Sequence, residues 1–203
     1  MCFKRLFLII FLTFFFLFSP KQQSLNYVMA ASDPGAYVIE ITKNAINTLT
    51  DEAIDQKKKE TKFGELFDKN FDIPSISRFV LGKYWKQASL DQKKNFIKAF
   101  RNYVVKTYSS RFNEYSGEQL TLLNFENESN PKIFIVHTAL EREDAPPIIV
   151  DWRIGKKKQS FVILDIIIEG ISLAVTQRSE FVSVIEQNEG NIDQLISILK
   201  EKT

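Results

Sequence analysis

From Asp33 onward the apolar positions fall into three regimes. They recur at helical spacing, then crowd into short strand-like runs, then return to helical spacing. Asp33-Pro34 combines a capping side chain with proline at the first helical position, and Val38, Ile41, Ala45, Ile46 and Leu49 follow on one face. A short helix is predicted from Thr61 to about Lys69, with Lys57-Lys58-Lys59 as a solvated face. Phe71-Asp72-Ile73-Pro74 restarts the chain, and Ile76, Phe79, Val80 and Leu81 predict an amphipathic helix stopped by Gly82. Ser89 and Gln92 have the spacing of a capping box. Behind them Phe96, Phe100, Tyr103, Val104, Tyr108, Phe112 and Tyr115 line one face of the clearest helix, which ends before Gly117.

Four strands are predicted: Gln119 to Glu128, Lys132 to Arg142, Ile148 to Ile154 and Gln159 to Glu169. The turns between them are Ser129-Asn130-Pro131, Asp144-Ala145-Pro146-Pro147 and Gly155 with its lysines. Connections this short favour antiparallel neighbours. The last strand does not alternate. Phe161 to Leu164 and Ile166 to Ile168 bracket a single Asp165, so both faces are expected to be covered, or one to face an apolar cavity. Ser172 is a plausible cap for a helix carrying Leu173, Val175, Phe181, Val184 and Ile185. After Gly190, Ile192, Leu195, Ile196 and Leu199 form a last amphipathic helix.

The first 30 residues follow another rule. Lys4 and Arg5 precede an apolar run from Leu6 to Phe18, Pro20 ends it, and Val28 and Ala30 stand at −3 and −1 of a cut after Ala30. This is the pattern of a cleavable secretory leader. A spanning helix needs roughly 20 apolar residues, more than this run supplies. The expected organisation is a signal peptide at 1–30 and one domain at 31–203. Lys4, Arg5 and Lys21 leave with the leader, so 24 basic side chains remain against 25 acidic ones. A near-neutral domain offers nucleic acid no concentrated basic face, and no nucleic-acid partner is expected. The single cysteine, Cys2, also leaves, so the domain is held by its core in a compartment that permits disulfides.

Reactive groups are scarce. The chain has one histidine, His137, in register with Ile133 and Ile135 in a predicted strand, where a core or wall role is expected. A zinc site or a nucleophile–histidine arrangement would rest on that residue alone. No phosphate-loop or dinucleotide motif occurs. No catalytic residue, metal or cofactor is expected, and the chain is not read as an enzyme. Should it be one, Asp165 is the carboxylate to inspect.

The stretch Phe71-Asp72-Ile73-Pro74-Ser75-Ile76-Ser77-Arg78-Phe79-Val80-Leu81-Gly82-Lys83-Tyr84-Trp85 resembles the MlaC (toluene-tolerance) family of periplasmic phospholipid-binding proteins. Val150-Asp151-Trp152-Arg153-Ile154 fits too. The most specific match is Leu164-Asp165-Ile166-Ile167-Ile168-Glu169-Gly170-Ile171-Ser172-Leu173, followed by Gln177-Arg178-Ser179-Glu180-Phe181. The resemblance runs from about Ala36 to the C-terminus. Departures are mild: Ser160-Phe161 stands where the family often has an aromatic such as Trp, and the stretch after Pro20 is longer than usual.

The resemblance implies an α+β domain of the NTF2-like kind, with helices packed on a curved antiparallel four-stranded sheet around an apolar lipid pocket. It implies a phospholipid ligand, and a shuttle between an outer-membrane lipoprotein–porin complex and an inner-membrane ABC transporter complex that maintains outer-membrane lipid asymmetry. Burying a methylene is worth roughly 0.8 kcal/mol, so two acyl chains gain on the order of 20 kcal/mol relative to water. Such a carrier needs a deep apolar pocket with the headgroup outside. The lipid-binding candidates are Val80, Leu81, Tyr84, Trp85, Phe100, Val136, Trp152, Phe161, Ile166, Ile168 and Leu173. Arg178 is read as a buried structural ion pair, with a phosphate contact as the alternative. A carrier of another apolar lipid such as a hopanoid, or an enzyme with an apolar pocket, are the competing readings.

Overall fold

The computed structural model describes residues 33–109, 117–143, 145–158 and 160–203. The expected leader lies outside the described residues, as do Phe112 and Tyr115. No described helix is long and apolar enough to cross a membrane.

Among the described residues, five helices precede the sheet: α1 (Pro34–Leu49), α2 (Gln56–Asn70), α3 (Ile73–Val80), α4 (Tyr84–Gln87) and α5 (Leu90–Ser109). The sheet comprises β1 (Gln119–Asn127), β2 (Ile133–Arg142), β3 (Ala145–Lys157), β4 (Ser160–Ile168) and β5 (Ile171–Ser172), and α6 (Leu173–Gln187) and α7 (Ile192–Glu201) follow. Their starts are written in side chains. Asp33 accepts from the amides of Gly35 and Ala36 at 2.7 and 3.0 Å. Asp55 accepts from Lys58 N at 2.7 Å, which starts α2 at Gln56, earlier than the expected Thr61. Asp72 caps α3 through Ser75 N. The capping box closes in both directions: Ser89 N donates to Gln92 Oε1 at 3.0 Å, and Gln92 N donates to Ser89 Oγ at 3.1 Å.

The sheet is an open antiparallel meander in the order β1-β2-β3-β4-β5. It has five strands, not four. Glu169 and Gly170 form a two-residue turn with φ of 50° and 78°, and this tight reversal pairs Ile168 with Ile171, which adds β5. β3 also begins at Ala145, where a turn was expected. A register shift lies between Leu140 and Arg142, and the Pro146 carbonyl accepts from Arg142 Nε at 3.0 Å. Pro146 and Pro147 precede the part of β3 that pairs with β4, so their missing N–H groups cost β4 no bond. At the next hairpin the turn moves outward from Gly155 to Lys158, which adopts φ 57°.

The core has three parts. Phe96, Phe100 and Phe181 anchor the cluster between α3, α5, α6 and α7, with ring centroids 5.9 Å apart and Phe181 edge-on to both others. Val38, Val136, Ile154, Phe161 and Ile163 join α1 to the sheet. Phe67, Ile73 and Val105 join α2, α3 and α5. Phe71 touches all three clusters. The next residue fixes it to the sheet, because Asp72 N donates to Ile163 O at 3.0 Å.

Candidate functional site

The three clusters do not close on one another. Between them lies a cavity of about 250 Å³. A buried water needs only roughly 10–15 Å³ of such space, so this is not a packing defect.

Its walls come from the helices and the middle of the sheet. α1 contributes Ile41, Thr42 and Ala45, and α2 contributes Phe63, Leu66, Phe67 and Asn70. Ile76 and Val80 of α3 and Phe100, Val104 and Tyr108 of α5 form the side opposite the sheet strands. Trp152 comes from β3, and Leu173, Ala174 and Gln177 come from α6. β4 gives four consecutive residues, Ile163, Leu164, Asp165 and Ile166. A regular strand turns alternate residues away. Here Ile154 pairs with Ile163 and Arg153 with Asp165, so Leu164 is an extra residue in the ladder. That bulge explains how consecutive residues of β4 come to reach the cavity.

Several polar groups on the wall are turned toward protein partners, whereas the buried Thr42 hydroxyl finds none among the described residues. Asn70 Nδ2 donates to Leu66 O at 2.8 Å, and its Oδ1 accepts from the Tyr37 hydroxyl at 3.2 Å. Burial, with Glu40 adding to it, pushes the Tyr37 phenol up to about 12. Trp152 Nε1 donates to Thr138 Oγ1 at 3.1 Å, and Thr138 Oγ1 in turn donates to Val150 O at 2.6 Å, which fixes the indole at the cavity. Gln177 Nε2 donates to Glu180 Oε2 at 3.0 Å. Asp165 accepts from Ile166 N, Ser172 Oγ and Ala174 N at 2.9, 2.5 and 3.0 Å. Both its oxygens thus hold the start of α6, which is a structural task.

Of the eleven candidates named from the sequence, Val80, Phe100, Trp152, Ile166 and Leu173 meet at this cavity. The other six lie elsewhere. Leu81 and Tyr84 are in the helical core, where Leu81 is turned 100° from Val80 around α3. Trp85 packs on that core beneath Lys93 Nζ, 5.6 Å from its ring. Val136 and Phe161 fill the α1–sheet core, and Ile168 is 38% exposed at the end of β4. Sequence reasoning missed the walls from α1 and α2. Their signal was present: Ile41 and Ala45, and Phe63, Leu66 and Phe67, keep the 3–4 spacing of an inward face.

His137 is not at the cavity wall. It follows the inward Val136 on β2, so the pleat sends it to the opposite face, where its Nδ1 lies 2.8 Å from Asp151 Oδ1. On that face Arg153 Nε donates to Glu128 Oε1 at 2.6 Å and Nη2 to Oε2 at 2.9 Å. This fork holds the Glu128 carboxyl below the usual carboxylate range, against an opposing push from burial. Arg178 is not the buried ion pair expected of it. It is exposed, and its guanidinium lies 5.1 Å from the centre of the Phe79 ring.

Residues 39–201 match the family model for the MlaC protein. The chain is also 26% identical, over 126 residues, to the intermembrane phospholipid transport system binding protein MlaC of Haemophilus influenzae. That match covers 60% of this chain and 58% of the relative. The fold is similar to that of a phospholipid-binding protein from Ralstonia solanacearum, solved in complex with a phospholipid. The TM-score is 0.72 at 20% identity, covering 84% of this chain and 96% of the other.

Proposed function

The chain belongs to the MlaC protein family, and from that premise we propose that it is a periplasmic phospholipid carrier. The observation that carries the reading is the apolar cavity between the helices and β4, where Asn70, Asp165 and Gln177 are committed to protein partners. Acyl chains are its fitting occupant. An apolar wall offers them burial, roughly 0.8 kcal/mol per methylene, and offers a polar substrate little.

The same energetics dictate the mode of transfer. Chains worth on the order of 20 kcal/mol against water do not leave into water at a useful rate. Handover therefore takes place in a docked complex. In this reading the leader at 1–30 exports the chain, the domain at 31–203 shelters the lipid, and the docking partners are an outer-membrane lipoprotein–porin complex and an inner-membrane ABC transporter complex. The traffic maintains outer-membrane lipid asymmetry.

Native mass spectrometry of the exported, mature protein tests the reading. The expected result is protein carrying phospholipid in near-stoichiometric amount. Protein that is repeatedly lipid-free, and that takes up nothing from phospholipid vesicles, overturns it. A bound hopanoid in place of phospholipid would keep the carrier and change its cargo.

A further inference from the structure

The cavity is suited to chains and unsuited to a phosphate. No lysine, arginine or histidine is among its lining residues, and its one carboxylate, Asp165, is fully engaged. An anionic headgroup brought inside would lose its hydration and find no counter-charge. It must sit outside the wall.

Arg178 extends, exposed, from a helix that lines the cavity. Four residues before it on α6, Ala174 lines the cavity, and one residue before it so does Gln177. A rise of about 6 Å along the axis separates Ala174 from Arg178, and both lie on nearly the same face of the helix. Across from it on α3, Ile76 and Val80 line the cavity and flank Phe79, the ring on which the guanidinium rests. Gly82 supplies a second support. It adopts φ +58°, and a Cβ built there would stand 3.1 Å from Arg178 Nε. The guanidinium thus lies over a ring face, in space that the missing side chain of Gly82 leaves open beside its Nε. Neither contact uses a donor N–H, and no carboxylate pairs with Arg178 among the described residues. A charged group with its donors uncommitted, on the helix whose Ala174 and Gln177 line an apolar cavity, has the form of an anion subsite.

We propose that Arg178 takes the phosphate of the lipid whose chains fill the cavity, with Phe79 and Gly82 fixing the plane of its fork. This rests on the carrier reading and adds to it a residue that selects phosphate-bearing lipids over neutral ones with the same chains.

The test uses delipidated mature protein as wild type, R178Q and R178K, titrated with dioctanoyl phosphatidic acid and with dioctanoylglycerol. The two ligands share their chains and differ in the phosphate. Wild type is expected to prefer phosphatidic acid. R178Q is expected to lose roughly tenfold of that preference while keeping its affinity for dioctanoylglycerol, and R178K to fall between, because it keeps the charge and loses the fork. An unchanged preference in R178Q overturns the inference, as does an equal loss for both ligands. Wild type that binds neither ligand refutes the carrier reading itself. Wild type that binds both, with R178Q indistinguishable from it, refutes only the role of Arg178. Inorganic phosphate at millimolar concentration is expected not to displace phosphatidic acid, and displacement would reassign the site to free phosphate.

Discussion

Asp165 on β4 accepts the backbone N–H of Ala174 on α6 at 3.0 Å, and the same carboxylate accepts the Ser172 hydroxyl at 2.5 Å. The sheet residue beside the cavity therefore holds the first turn of a helix that forms another of the cavity's walls. Ser172 itself caps that helix through Val175 N at 3.0 Å. The lone acid in an otherwise apolar run is a clamp between two walls.

Replacing this clamp should loosen the wall. Asp165→Ala leaves the Ala174 amide and the Ser172 hydroxyl without their partner, at a cost of about 1–3 kcal/mol. Urea unfolding should show a lower midpoint with an unchanged slope. A variant as stable as wild type would show that α6 is positioned by packing alone.

Filling the cavity should abolish cargo without unfolding the protein. Ala45 stands on the α1 wall, and Ala45→Trp places an indole where chains would lie. Co-purified phospholipid should drop at least about fivefold, with the far-ultraviolet circular dichroism of wild type, since overpacking typically costs only about 1–3 kcal/mol. Retained lipid at wild-type stoichiometry would move the binding site elsewhere.

Gly82 occupies left-handed backbone at φ +58°. Gly82→Ala should cost about 1–2 kcal/mol from that conformation alone, and its Cβ would also crowd Arg178 Nε. The measurement is the thermal midpoint, which should fall by several degrees in a domain of this size. An unchanged midpoint would mean the turn relaxes without strain.

The Glu128–Arg153 fork predicts an acid-side dependence. The hydrogen bond from Arg153 depresses the Glu128 carboxyl in the folded state. The pair's contribution is therefore present above the unfolded value, about 4.3, and is lost as pH falls through the lower folded value. Because the pair is partly exposed, its worth is below about 1 kcal/mol. Glu128→Gln should be less stable than wild type at pH 7, with the gap closing below pH 4. A gap that stays constant with pH would sever the shift from the pair.

The local instructions were close to the surface of the sequence. Asp33-Pro34, the Ser89–Gln92 box and Ser172 each place a helix start through atoms a few residues apart. Strand identity and antiparallel order followed from short turns. The misreadings fall where a backbone angle or a register decides: the two positive φ values at Glu169 and Gly170 add a fifth strand, and the shift near Arg142 carries β3 back through two prolines.

The sequence by itself determined that this chain has a helix–sheet–helix order, no cysteine after Cys2, and more apolar surface on β4 than a two-faced strand can use. Which apolar side chains line a cavity was decided only by tertiary structure. Val80 and Leu81 are neighbours of like character, yet one faces the cavity and the other the helical core. Periodicity fixes a side chain's direction relative to its own element, whereas a cavity is the space several elements leave between them. The bulge at Leu164 and the docking of Asp165 on α6 set that space, and both arise from contacts between segments.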